Sequence, residues 1–445
     1  MSDPSPPLDL DARDLDIDAA TLSFAFTLGK DHFTETFTLD RPIDPVVDPG
    51  HPTIQHLLDV AHLCVGVSYY KLTMPGRVRS PRPLHPAIEA LVPQLYDHGL
   101  RELAVRNGLP VPLPIDLDTP GSQVADPPAA TVAATDRRGP LVPFGGGKDS
   151  TLTVTLLDDP TLLSVHPTEV QRRVARAAGL DLVEVERRLD PLLAVRTAEG
   201  GLNGHVPITA INSSIGAVIA ALRGHPEVVI ANERSAEEPT QFVGDVPVNH
   251  QHSKSFAFEQ VLAAALRPGG VDYFSLVRRF SELAIAGALA PHVELRRAIL
   301  SCNRAFSLTR PQDDPTWCLD CAKCRFTFLT FAVFLDPAEA EDMFGGNLLD
   351  DATQIEGVRA LWADKPFDCV GELAESAIAL SRLTERAGWR TTAVVRALGD
   401  EAVKFAAASG TSIDALLAPA GTDAVPERLR GRLERALQAG ADAAR

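Results

Sequence analysis

Leu141-Val142-Pro143-Phe144-Gly145-Gly146-Gly147-Lys148-Asp149-Ser150 is the stretch on which the fold turns. Leu141 to Phe144 is a short apolar run that predicts a strand, and a helical pattern begins at Asp149. Three glycines join them. Consecutive glycines open backbone angles closed to other residues, and they let amide groups approach an anion without interference from Cβ. Lys148 adds a point charge and Ser150 a hydroxyl donor, while Asp149 is placed to cap the helix or to hold a metal ion. A tight turn without a ligand is the alternative for a bare glycine triplet, and the Lys-Asp-Ser that follows argues against it. The loop is not of the Walker type, because Gly-Lys is followed by Asp149 and the earlier glycine at the required offset is missing.

Outward from the loop, strand and helix patterns alternate. Leu162-Leu-Ser-Val165 and Leu182-Val-Glu-Val185 are strand candidates, and Ile208 to Arg223 is a helix pattern that feeds the strand Glu227 to Ala231. Such alternation predicts an α/β fold, a doubly wound parallel sheet with helices on both faces and ligands at the carboxyl ends of its strands. Asn232-Glu233-Arg234-Ser235 follows one of those strands directly, so its polar side chains are expected in the crevice; a solvated loop is the alternative. Asn249-His250-Gln251-His252-Ser253-Lys254-Ser255 precedes a helix from Phe256 to Leu266 and offers two imidazoles and an ammonium beside capping hydroxyls. It reads either as a substrate site or as a plain cap with exposed histidines.

Four of the six cysteines lie between 302 and 324. Cys318, Cys321 and Cys324 are spaced by two residues, and with Cys302 they could close a tetrahedral zinc site fastening the intervening loop. Buried or redox-active thiols without metal are the alternative. Lys323 and Arg325 sit inside this cluster, as contacts for phosphate or carboxylate groups or as charge balance. Cys64 and Cys369 read as ordinary core residues.

The rest of the chain divides by pattern. Residues 1–20 carry six Asp against one Arg with interleaved Pro, which predicts a disordered acidic tail. Thr21 to Leu28 and Phe33 to Leu39 alternate at period two around Gly29-Lys30-Asp31, a hairpin signal, and with the helical patterns that follow they form a small α/β unit over 21–112. Residues 113–137 read as a Pro-rich linker, 138–335 as the core and 336–445 as a helical region, with no internal repeat.

With 445 residues the chain exceeds one ordinary core. Lys plus Arg is 42 and Asp plus Glu 59, a formal charge of −17, which argues against a nucleic-acid binder held by phosphate contacts. An anionic small substrate therefore needs a local basic patch. The start lacks a secretory pattern and no stretch is apolar enough to span a membrane, so a cytoplasmic protein without membrane partners is expected. Oligomeric state leaves no signal.

The glycine loop is similar to the signature loop of the N-type ATP pyrophosphatases (PP-loop enzymes), usually Ser-Gly-Gly-x-Asp-Ser. Gly145 replaces the first Ser; Gly146, Gly147, Asp149 and Ser150 match, with Lys148 as the variable position. That resemblance implies cleavage of ATP, with Mg²⁺, to AMP and pyrophosphate while a carboxylate or amide is activated as an adenylate. The one-then-three order of cysteines is similar to that of the cyano-deazaguanine synthases, which carry a structural Zn²⁺. Taken together with Trp317-Cys318 and with Val67-Ser-Tyr-Tyr-Lys71, the set resembles the UDP-N-acetylmuramoyl-L-alanyl-L-glutamate epimerases (MurL) of cell-wall synthesis.

This family resemblance implies inversion of the terminal L-glutamate of a UDP-muramoyl dipeptide. In that reading Gly145, Gly146, Gly147, Lys148, Asp149 and Ser150 hold the phosphates, while Asn232, Glu233, Arg234, Lys323 and Arg325 contact the substrate. His250, His252 and Lys254 are nominated for proton transfer, with Tyr70 and Lys71 as outsiders. Another adenylating enzyme of the loop's class, such as an amide ligase or a nucleobase- or RNA-modifying synthase, remains the alternative. A non-catalytic ATP-binding module and a zinc-fastened interaction protein stay open beside it.

Overall fold

The computed structural model describes residues 5–121, 124–305, 315–363 and 370–443. The strand predicted before the glycines is β6 (Leu141–Pro143), and the chain then winds through β7 (Thr161–Val165), β8 (Leu182–Arg188), β9 (Glu227–Ile230) and β12 (Asp272–Ser275). These five strands are mutually parallel and lie in the order β12-β9-β6-β7-β8. Counted along the chain that is 3-2-1-4-5, a doubly wound order whose direction reverses between β6 and β9. Neighbouring residues on these strands face opposite layers. Val142, Leu162 and Val229 enter one apolar cluster, while Leu141, Leu163 and Val228 enter the other. The central strands β6, β7 and β9 are therefore largely apolar, as burial on both faces requires, whereas β8 carries charged residues.

The sheet does not end at β8. That strand pairs antiparallel with β3 (Asp31–Leu39), which continues through β2 (Thr21–Leu28) and β1 (Leu8–Asp16) to the short parallel strands β4 (Arg77–Arg79) and β5 (Asp116–Asp118). The N-terminal unit and the core thus share one mixed, mostly parallel sheet of ten strands. A separate two-stranded hairpin pairs β10 (Gln241–Val243) with β11 (Val246–Val248).

Two expectations need correction here. Residues 1–20 were expected to be a disordered tail, yet Leu8–Asp16 is a strand. Leu8 and Leu10 are fully buried beneath it, and Asp9 between them pairs outward with Arg79 at 2.6 Å. Composition hid a period-two alternation. Likewise the 113–137 stretch, expected to be a linker, contributes the edge strand β5, although most of it is irregular.

The helix Pro52–Tyr70 covers the N-terminal strands, and Cys64 is buried within it; Cys369 lies outside the described residues. Beyond Pro337 the described residues form helices, among them Leu373–Leu383, Ala393–Ser409 and Glu427–Ala443. They pack on the cluster that contains β6 and bury Trp389 against Phe328.

Candidate active site

A cleft of about 800 Å³ opens at the carboxyl ends of β6, β7 and β9, at the point where the strand order reverses. Gly145, Gly147, Asp149 and Ser150 form one side of it. The glycines are used unequally. Gly146 has φ +73°, and a Cβ there would stand 3.0 Å from Val170 Cγ1. A Cβ on Gly145 would meet nothing within 4 Å, so the missing serine of the loop signature leaves open space facing the cleft. Gly147 is the N-cap of the helix Lys148–Thr155, and no side chain caps it. The first amides of that helix are left for an anion.

Lys148 is not a surface charge. Its ammonium is buried, 2.5 Å from Asp149 Oδ1 and ion-paired with Glu282. Burial alone would lower its pKa, but Asp149, Glu282 and Glu233 outweigh burial and hold it above its ordinary value. Glu233 would likewise be raised by burial; Lys254 and Lys148 reverse that and hold it below the usual carboxylate range. Glu282 receives what is left. Burial, together with Asp149, Glu233 and Glu375, pushes it up to about 8 against the pull of Lys148. The site thus carries more carboxylate than its buried ammonium can neutralise, an environment that accepts a further cation.

Across the cleft stand Asn232 and Glu233, just past β9 as expected, with Lys254 beyond them. Asn232 Nδ2 and Asn212 Oδ1 are buried without hydrogen-bond partners, and both residues line the cleft. A donor and an acceptor are therefore left for a polar ligand. The turn that carries Asn232 and Glu233 is fixed from below by Arg278, whose guanidinium reaches the Glu233 carbonyl at 3.4 Å and Glu259 at 2.6 Å.

The third wall comes from the cysteine region, through Ser301, Asn303 and Lys323. The Sγ atoms of Cys302, Cys318, Cys321 and Cys324 all lie within 4.8 Å of one another, and those of Cys318 and Cys324 are 3.7 Å apart. A zinc ion with bonds of about 2.3 Å has ligand sulfurs about 3.8 Å apart, so this donor set fits such an ion.

Not every nominated residue lines the cleft. Arg234 pairs with Glu372 at 2.8 Å, and Arg325 with Asp320 at 2.7 Å and Gln354 at 2.8 Å. His250 bonds Thr240 at 2.6 Å, while His252 bonds Gln94 at 2.8 Å and stacks on His98. These histidines face the N-terminal unit and the small hairpin, and neither is among the residues lining the cleft. Tyr70 accepts from the Gly76 amide at 3.1 Å, and Lys71 donates to Asn203 at 2.9 Å, also apart from it. Sequence reading missed Glu282, whose one signal is a lone charge opening the wholly apolar helix Glu282–Leu289. It missed Asn212, Ser301 and Asn303 as well, polar residues in runs without a motif.

Residues 7–276 match the family model described as the MurL N-terminal domain, and residues 298–412 that of the MurL C-terminal domain. A protein of Salinispora tropica named UDP-N-acetyl-alpha-D-muramoyl-L-alanyl-L-glutamate epimerase is 41% identical over 93% of this chain and 92% of its own length. Proteins of the same name from a Micromonospora strain and from Xanthomonas oryzae are 42% identical over 89% of the chain and 35% identical over 95%. They are covered over 90% and 95% of their own lengths. No solved structure matches the chain.

Proposed function

Because the chain belongs to the MurL epimerase family, we propose that it inverts the terminal L-glutamate of UDP-N-acetylmuramoyl-L-alanyl-L-glutamate. The product would be the D-glutamyl form, a cytoplasmic precursor of the cell wall. ATP is consumed to AMP and pyrophosphate.

The chemistry explains why ATP is needed. Removing the α-proton next to a free carboxylate would place two negative charges on one small group. Transfer of AMP to that carboxylate releases pyrophosphate and neutralises it, so a side-chain base can take the α-proton. Return of a proton to the opposite face and hydrolysis of the adenylate give the D-residue and AMP.

The glycine loop carries this reading: its uncapped helix start and positive-φ glycine at the strand-order reversal suit a triphosphate. Gly145 to Ser150 would cradle the phosphates, with Lys148 as a fixed positive charge. Asp149, which lines the cleft beside the crowded carboxyl groups of Glu233 and Glu282, would hold Mg²⁺, which supplies charge neutralisation on the phosphates when bound. Asn232, Lys254 and Lys323 face the same space and would orient the acyl group. Lys254 is the one nominee for proton transfer that lines the cleft.

The test is product analysis after incubation with ATP and the UDP-muramoyl dipeptide in deuterated water. One deuterium at the glutamate α-carbon, together with AMP and pyrophosphate, is expected. AMP formation with an unlabelled, ligated product would point to an amide ligase instead, and no ATP cleavage at all would overturn the reading.

A further inference from the structure

We propose that the four cysteines hold one zinc-class divalent ion, and that this ion is a positioning element of the cleft that sets where its third wall stands against the glycine loop.

Residue order carries the first half of the argument. Cys302 is flanked by Ser301 and Asn303, and Lys323 sits between Cys321 and Cys324; all three flanking residues line the cleft. Any ion that draws the four sulfurs together draws these three side chains together too. The segment is also tied to the glycine loop itself. Leu300 N–H donates to the Gly146 carbonyl at 3.3 Å, and a Cβ placed on Gly147 would lie 3.1 Å from Ser301 Oγ. One peptide unit separates that contact from the first sulfur ligand.

Local backbone carries the second half. Leu319, between Cys318 and Cys321, is held at φ +53°, a left-handed conformation that costs a non-glycine residue about 1 kcal/mol or more. The turn it makes brings both sulfurs to one side. The Asp320 and Cys324 amides then point at the sulfurs of Cys318 and Cys321, each at 3.4 Å, and hold them in place. Asp320 accepts from both Arg304 and Arg325, so basic side chains gather round a site that four thiolates and one dication would leave at −2. On binding, each thiol that is still protonated releases its proton to solvent, and four S–metal bonds form without oxidation.

The role is positional. The four sulfurs are absent from the cleft lining, while Lys323 is part of it.

The experiment uses the full chain. Metal content is measured on the purified protein, and the zinc is exchanged for cobalt to record the visible bands of a tetrahedral tetrathiolate. Hydrogen exchange is then followed at the Leu300 amide with the ion present and after chelation, and pyrophosphate binding is titrated in both states and in Lys323→Ala. One ion per chain, loss of Leu300 protection on chelation, and about tenfold or more weaker pyrophosphate binding are expected, the scale of one hydrogen bond to a charged group. Lys323→Ala should reproduce the weaker binding while keeping the cobalt spectrum. Substoichiometric metal, a Cys318–Cys324 disulfide in freshly prepared protein, or unchanged Leu300 exchange without metal would each overturn the proposal. The pyrophosphate arm rests on the nucleotide reading of the cleft. A metal-loaded protein that binds no pyrophosphate counts against that reading, while the exchange and cobalt arms still decide the clamp.

Discussion

Arg278 Nη2 and Glu259 Oε2 stand 2.6 Å apart with both side chains at 2% exposure or less, beneath the turn that presents Asn232 and Glu233 to the cleft. Glu259 also accepts from the Ser275 amide at 3.0 Å and from its hydroxyl at 2.5 Å. Removing one partner leaves a buried charge uncompensated. Arg278→Met is therefore expected to cost about 3–5 kcal/mol in chemical denaturation, and adding Glu259→Leu should recover much of it. A single-variant cost under about 1 kcal/mol would show that the pair is not a structural support of the site.

Lys148 and Asp149 are expected to act on turnover. Lys148→Ala and Asp149→Ala should each lower ATP-dependent pyrophosphate release about a hundredfold or more, the scale of losing a preorganised charge at a reacting phosphate. Full turnover in either variant would remove the phosphate loop from the mechanism.

The glycines at 145 and 146 should behave differently. Gly146→Ala is disfavoured twice, by its positive φ and by Val170 Cγ1 at 3.0 Å, so loss of stability or of the loop's shape is expected. Gly145→Ser meets open space and restores the signature hydroxyl. It should fold with an unchanged thermal midpoint and lower the KM for ATP severalfold, as one added hydrogen bond would. A large drop in its midpoint would contradict the geometry of the loop.

His62 gives a pH prediction. Burial, with Arg82 adding repulsion, pushes it from 6.5 down to about 4 although its bond to the Ala25 carbonyl opposes the change. The unfolded chain thus binds a proton that the folded chain refuses. Stability is fully present above about 6.5 and is lost as pH falls towards 4, by about 3 kcal/mol in total. Denaturant midpoints across that window should show the loss, and His62→Phe, lodged between Phe24 and Phe26, should flatten the contribution.

Lys254 and His252 separate two views of proton transfer. Lys254→Ala should lower solvent-deuterium incorporation at the glutamate α-carbon sharply. His252→Ala should act mainly on stability, because its ring is tied to Gln94 and His98 away from the cleft. Equal losses of incorporation would show that the imidazole reaches the substrate.

The glycine loop, the strands around it and the turn after β9 were legible because each is a contiguous signal: apolar run, glycines, polar cluster. The convergence of Cys302 with the three later cysteines was legible from spacing. What escaped were contacts made across the chain. Glu282 lies more than a hundred residues from Lys148, and nothing local announces that they meet. Arg234 looked like a substrate contact because it is charged and follows a strand, but Glu372, from the distant helical region, takes its guanidinium. The first strand was missed for another reason: the six Asp of residues 1–20, four of them in the strand itself, dominate the composition, while Leu8 and Leu10 are its buried residues.

The pairing of β3 with β8 has a mechanical consequence. A ten-stranded sheet runs without a seam from β5 to β12, so the part of the molecule built on it behaves as a beam rather than as two plates on a pivot. Bending it at the junction would break ladder hydrogen bonds all along one strand. The sugar-nucleotide dipeptide of the proposed reaction would then enter from the other side, where the wall of Ser301, Asn303 and Lys323 is joined to that beam by side chains and single hydrogen bonds. Any give in the site belongs to that wall.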